Sequence, residues 1–383
     1  MIAEILLIMG ALLLLAKIFG EIAERIGLAP LVGEIAAGVL LGPVLGIVVI
    51  HSGSFMSDFM NIGIILLLFI AGLGIKFEDI KDNIYSASML AVAGGLLTVV
   101  LGIVAGIILF NNFLIGLVIG IILLSTSDAI VFGILMKIGE FKTRTGRMVV
   151  SMTMADDIAG ILALSFLIVF VTNSTIPVND MFRLFLISIG FYLVILTVGT
   201  RISNKIVNMS GNFIGKHALF AVPLAIMFLL AVVSENIGLG IATGAFLAGM
   251  MLAKTRFTES VLAPNVKIIG DGFVIPLFYA SVGTFLSFSG FNLVLVVVLL
   301  LISFAGKYIG SGMLGRFFGY RSDDIKLMGL SMVPRGDYNI AVAQIALIMG
   351  VISTEIYTSV IFAIILTIVL APILIAATMG KKA

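Results

Sequence analysis

The chain contains no cysteine, which excludes disulfides, thiolate metal sites and cysteine nucleophiles. Histidine occurs only as His51 and His217, each near the end of an apolar run, which argues against a zinc peptidase or a haem-ligating bundle. Charge is also scarce. Asp, Glu, Lys and Arg make up 11% of the 383 residues, against about 25% in a soluble domain. What fills the space is apolar, 61% of the chain. That composition belongs to an all-α polytopic membrane protein, in which ~20 apolar residues form one span. If protons are handled inside such a bundle, carboxylates and lysine must do it.

The segments 84–127 and 273–306 carry no charge at all, and each is too long for a single span. A tight turn at Asn111-Asn112 divides the first. Apolar runs place spans near 3–24, 31–50, 58–75, 85–110, 113–136, 148–171, 181–201, 217–234, 237–254, 266–286, 291–317, 325–349 and 356–378. The first begins at Met1 without a basic leader or a small-residue cleavage motif, so it reads as a retained helix. Basic residues test the count of thirteen, because cytoplasmic loops collect Lys and Arg. All but three of the 22 fall after odd-numbered spans, from Lys17 and Arg25 through Lys254, Arg256 and Lys267 to Lys381 and Lys382. The exceptions are Arg183, Lys307 and Arg335. This alternation predicts an outside N-terminus and a cytoplasmic C-terminus. The net charge of +2 thus reflects topology and not nucleic-acid binding. No soluble regulatory domain is expected.

Span 2 (Ile35-Ala36-Ala37-Gly38-Val39-Leu40-Leu41) is echoed in span 9 (Ile241-Ala242-Thr243-Gly244-Ala245-Phe246-Leu247), 206 residues on. Ser125-Thr126-Ser127-Asp128 interrupts span 5, and Pro334-Arg335-Gly336-Asp337 interrupts span 12, with the aspartates 209 residues apart. These offsets predict repeats over about 1–171 and 217–380, joined by a linker helix near 181–201, in one transporter domain. An offset of seven spans, an odd number, makes the two copies inverted, and inverted repeats with broken helices point to a secondary transporter.

Asp156 and Asp157 stand together within span 6. A carboxylate near mid-bilayer costs about 2.5–3.5 kcal/mol on insertion scales, so the pair reads as an ion or proton site. The two point about 100° apart on a helix, which allows separate roles. Thr153, one turn before Asp157, could add a hydroxyl oxygen. Lys307 lies about sixteen residues into span 11, too deep to snorkel, and is the natural partner of an acid. Such a pair is a proton switch: a cation that takes the carboxylate leaves the lysine free to release its proton. Thr126, Ser127 and Asp128 are N-cap formers that could satisfy the broken span 5. Arg335 and Asp337 offer one charge of each sign at the second break, with Arg335 set against Asp128. Glu34 and Glu235 read as solvated or structural.

Taken together, Pro30-Leu31-Val32-Gly33-Glu34-Ile35-Ala36-Ala37-Gly38 with Gly42-Pro43, Ala155-Asp156-Asp157, Gly238 to Gly249, Lys307 and Pro334-Arg335-Gly336 resemble the monovalent cation:proton antiporter superfamily, in its NapA/Kef-like branch. The resemblance covers essentially the whole chain. It implies discontinuous crossing helices 5 and 12 in a mobile core of spans 4–6 and 11–13, and a homodimer built on the remainder. It implies that Asp157 carries cation and proton and that Asp156 pairs with Lys307, with Na+ or Li+ held at Asp157 and Asp156. The double aspartate looks like the electrogenic members, which exchange two protons per cation. One departure is Ala71-Gly72-Leu73-Gly74, where relatives often carry Gly-Leu-Glu.

The expectation is therefore a sodium/proton antiporter in the plasma membrane of a bacterium or archaeon. Lipid surrounds it, and no cofactor, nucleic acid or enzymatic chemistry is involved. Rival readings are electroneutral K+/H+ or Na+/H+ exchange and, further off, a sodium-coupled organic-anion symporter. An intramembrane aspartyl protease needs its acids on separate helices, whereas Asp156 and Asp157 are adjacent.

Overall fold

The computed structural model describes residues 2–48, 55–75, 84–172, 190–210, 217–237, 239–253, 255–288 and 291–379, and no strand occurs among them. Apolar runs become helices because a buried or lipid-facing backbone must satisfy its own hydrogen bonds. Seven helices are long and apolar enough to cross a membrane: Ile5–Arg25, Tyr85–Phe110, Arg144–Val171, Ala218–Asn236, Thr258–Thr284, Leu293–Phe318 and Thr354–Ile375. Shorter apolar helices cover Pro30–Val44, Asn61–Gly74, Phe113–Ile122, Ile241–Leu252 and Asp337–Ile348. Among the described residues, π turns interrupt the helices at Leu40–Val44, Ile195–Gly199, Thr258–Leu262, Gly270–Val274 and Tyr308–Gly312.

Several expected boundaries move. The helix bearing the paired acids starts at Arg144, and the tenth span starts near Thr258 instead of 266. Lys17 lies within the first helix, Ile2–Arg25, and Lys267 within Ala263–Ile269, so neither is a loop residue as expected. The reason is visible at Lys17, whose ammonium donates to the carbonyl of Asp271 at 2.5 Å. Asp271 belongs to the π turn Gly270–Val274, where carbonyls leave the regular ladder. The helix predicted near 181–201 is described from 190 and continues to Ser210. Lys76, Lys81, Arg183, Lys216, Lys254, Lys381, Lys382 and His51 lie outside the described residues.

The chain forms two compact units. The first comprises Met1–Lys17, Ile50–Lys76 and Ile161–Ser281. Within it, the helices Phe55–Gly74 and Ile241–Leu252 touch backbone to backbone. A Cβ on Gly72 would run into the Phe246 carbonyl, and one on Gly249 into that of Phe69. Small residues permit this approach, and dispersion then holds the helices. Gly249→Ala should therefore cost about 1–3 kcal/mol through overpacking, read as a lower unfolding temperature in detergent. Gly74→Ala, where a Cβ would meet open space, should leave that temperature unchanged.

The second unit comprises Ile18–Val49, Phe77–Gly160 and Val282–Ala383. Its helix α4 (Ile84–Phe110) turns at Asn111, φ 49°, into α5 (Phe113–Ile122), where the sequence placed the turn. Asn112 caps α5 by accepting from Leu114 and Ile115 N–H at 2.9 and 3.2 Å. The labels continue in chain order: α6 is Asp128–Lys137, α7 Arg144–Thr172, α13 Leu293–Lys307, α14 Ser322–Ser331, α15 Asp337–Ile348 and α16 Thr354–Met379. Both predicted interruptions, between α5 and α6 and between α14 and α15, lie inside this unit.

Candidate functional site

The two breaks satisfy each other. The Ser127 N–H donates to the Pro334 carbonyl at 2.9 Å. The Asn339 side-chain amide donates to the Ile122 and Ser125 carbonyls at 2.6 and 2.9 Å, while its oxygen accepts the Gly336 N–H at 2.8 Å. The Arg335 N–H donates to Thr367 Oγ1 at 3.0 Å. Gly336 lies so close to Ser127 that a Cβ there would fall 2.7 Å from the serine Cβ. Only glycine fits. Pro334 disfavours helix in the residue before it and lacks a donor, which accounts for α14 ending at Ser331.

The expected side-chain capping does not occur. Ser127 is the N-cap of α6, yet its hydroxyl makes no cap bond. The neighbouring hydroxyls turn to the acids of α7 instead. Ser125 donates to Asp157 Oδ1 at 2.8 Å. The single hydroxyl proton of Thr126 lies between Asp156 Oδ2 at 2.8 Å and the Met332 carbonyl at 2.9 Å. Hydrogen bonds to an ionised acceptor are roughly twice as strong as neutral ones, so buried carboxylates outcompete the helix end.

Asp156 and Lys307 are fully buried and form an ion pair with each other. Lys307 is the last residue of α13, immediately before the π turn Tyr308–Gly312. Its neighbour Gly306 presses α13 onto α4, where a Cβ would collide with Thr98 Oγ1. Asp157, only 9% exposed, lies within hydrogen-bonding reach of Asp128. Two carboxyl groups in such contact need a proton or a cation between them. Asp128 Oδ1 and Asp156 Oδ1 have no hydrogen-bond partner among the described residues.

Thr153 donates to the Val150 carbonyl of its own helix at 3.0 Å and lies beside Asp128. Arg335 is fully buried, but it does not face Asp128 as expected. Its guanidinium reaches the Met332 carbonyl at 2.9 Å, Thr126 Oγ1 at 3.4 Å and the Ser303 carbonyl at 3.5 Å, next to Asp156. Asp337 starts α15 and is half-buried near Asp128. Four acids (Asp128, Asp156, Asp157 and Asp337) thus cluster with two cations, Lys307 and Arg335, with Asp156, Asp157, Lys307 and Arg335 buried and Asp128 and Asp337 half-buried. Fully ionised, these six groups would carry four negative and two positive charges. Among the described residues no group of three or more Asp, Glu, His or Cys converges to chelate a metal. Any cation here must draw on carboxylate, hydroxyl and water oxygens together.

Sequence reasoning did not foresee Asn339 or Tyr338. The Tyr338 hydroxyl donates at 2.5 Å to the Gly160 carbonyl, on α7 just past the acids. Asn339 had a signal: it stands three residues after Gly336, the capping-box spacing. Glu34 is buried, at 4% exposed, which removes the solvated alternative and leaves the structural one. Gly20 makes room for it, since a Cβ there would meet Glu34 Cγ at 3.3 Å. Glu235 is exposed.

Comparison with known proteins gives a consistent picture. The profile of the family described as "Sodium/hydrogen exchanger, transmembrane" matches residues 10–381. The Na(+)/H(+)-K(+) antiporter GerN of Bacillus cereus is 26% identical over 380 residues, covering 97% of this chain and 95% of that protein. A Na(+)/H(+) antiporter of Enterococcus hirae is 27% identical over 334 residues, covering 86% of each. Among solved structures, the sodium proton antiporter MjNhaP1 of Methanocaldococcus jannaschii superposes with a TM-score of 0.75 at 19% identity, over 98% of both chains.

Proposed function

We propose, from the fact that this chain belongs to the transmembrane sodium/hydrogen exchanger family, that it exchanges protons for Na+ or Li+ by alternating access, two protons per cation. A protein of this family is a multi-pass membrane transporter and not an enzyme. The observation that carries the reading is the cluster of four acids and two cations around the buried Asp156 and Asp157. In the proton-loaded state Asp157 and Lys307 each hold a proton, and one cation binding at Asp157 and Asp156 displaces both, so that each cycle moves two protons against one cation and one net charge.

Asp157 is the carrier acid. Its carboxyl meets Ser125 and Asp128, so cation and proton compete for the same oxygens. Asp156 is the second acid, tied to Lys307. When a cation draws on Asp156 Oδ1, the hold on the ammonium weakens and a proton can leave the lysine. Thr126, Ser127, Asp128, Arg335 and Asp337 frame the site, and Thr153 backs Asp128. The relatives' names support Na+ and include K+.

We read the whole chain as one transporter domain of thirteen spans, inverted repeats near 1–171 and 217–380 and a linker helix near 181–201. The two interruptions satisfy each other, the Ser127 N–H on the Pro334 carbonyl and the Asn339 amide on the Ser125 carbonyl, and this pairing of spans 5 and 12 supports that reading. A homodimer in the plasma membrane, N-terminus outside, completes the reading.

The test is proton flux in sealed liposomes at an imposed potential, with Na+, Li+ and K+ supplied in turn. Exchange driven by Na+ or Li+ and accelerated by the potential is expected. Exchange that responds only to K+, or ignores the potential, would move the assignment to electroneutral K+/H+ exchange.

A further inference from the structure

At the end of a helix the last carbonyls have no partner within it. Where a helix breaks inside a membrane, such carbonyls are the usual source of neutral oxygens for an ion. In the interruption after α5 two of those oxygens are already engaged, those of Ile122 and Ser125. The Asn339 amide donates to the Ile122 carbonyl at 2.6 Å and to the Ser125 carbonyl at 2.9 Å. Its own oxygen is held by the Gly336 N–H, which leaves no ambiguity about which end of the amide faces the carbonyls. Asn339 is 1% exposed, so water does not replace it.

Ser125 is thereby used twice. Its carbonyl goes to Asn339 and its hydroxyl to Asp157 Oδ1 at 2.8 Å. The side chains beside Asp157 offer carboxylate and hydroxyl oxygens, and the high field of a carboxylate suits a small cation. Released carbonyls would add neutral oxygens and raise the coordination number, which suits a larger cation such as K+. Asn339 contacts no acid of the cluster among its hydrogen bonds. Its effect must pass through Ser125 and the helix end.

We propose that Asn339 determines cation preference, by withholding the Ile122 and Ser125 carbonyls from the ion and so keeping the site selective for Na+ over K+. The proposal rests on the antiport reading above. It concerns a positioning residue, and its signature is a change in the ratio of two substrates. A purely structural role would lower transport of both cations alike.

The experiment is liposome exchange measured with Na+ and with K+ for wild type, Asn339→Leu and Asn339→Ser. Leucine keeps the volume and removes the amide; serine retains one donor. The expected result is a rise of about ten-fold in the K+ to Na+ ratio of kcat/KM for Asn339→Leu, a smaller rise for Asn339→Ser, and an unchanged preference in Thr358→Ser, a buried hydroxyl on the Ser287 N–H. Should Asn339→Leu fail to yield monodisperse protein, Asn339→Ser decides alone, and an unaltered ratio there overturns the proposal. Wild type that exchanges neither cation would remove the antiport reading and this proposal with it. Wild type that exchanges, with ratios unmoved in the variants, removes this proposal only.

Discussion

Asp157→Asn is expected to reduce cation-driven proton flux to the level of protein-free liposomes while leaving the protein folded. The asparagine oxygen can still accept from the Ser125 hydroxyl, which donates to Asp157 Oδ1 at 2.8 Å, so the local geometry has a substitute partner. What disappears is the group that can alternate between a proton and a cation. Stability should hold or rise, because the change removes one negative charge from a cluster with four acids and two cations, and an uncompensated buried charge is costly. Flux and the unfolding temperature in detergent, measured on the same preparation, check both halves. Retained exchange in this variant would sink the assignment of Asp157.

The second large effect concerns the fully buried pair of Asp156 and Lys307. Either Lys307→Met or Asp156→Asn alone should destabilise the protein by about 3–5 kcal/mol, because each leaves a charge buried without its counterion. The double variant Asp156→Asn/Lys307→Met should recover most of that loss, since a neutral pair of similar shape carries no desolvation cost. A double-mutant cycle from detergent unfolding measures the coupling. Losses that simply add would mean that the two groups do not depend on each other. The double variant should also lose the response of flux to membrane potential, because the second proton-binding step requires this pair.

Much of the site is readable from residue order alone. Adjacent acids in an apolar helix, a lysine too deep to reach water, and Pro334 followed by Gly336 each break a rule that ordinary packing obeys, so they stand out without any coordinates. Direction is what the order of residues does not carry. Thr126 and Ser127 read as helix caps by type, and Ser125 beside them is a hydroxyl of the same kind, but type says nothing of which acceptors lie across the bundle. Carboxylates 30 and 32 residues away captured two of the three hydroxyls. Arg335 was set against Asp128 on charge alone, whereas the carbonyls of Met332 and Ser303 hold it. For Glu34 the residue order leaves solvated and structural readings open, because the glycine that makes room for it, Gly20, lies on the preceding helix. Lys17 and Lys267 count as loop residues in the charge alternation, yet helices run through both.

A π turn closes over five residues where an α turn closes over four, so it holds one residue more than a regular helix of the same height needs. The turn Tyr308–Gly312 follows Lys307 directly. A homologue with an ordinary α turn at that place must be one residue shorter there. Aligned without a gap, every position beyond its lysine would be displaced by about 100° around the helix axis, and lipid-facing residues would be matched with buried ones. For this chain, single-residue gaps belong inside the helices, at the π turns, and not only in the loops where insertions are customarily placed.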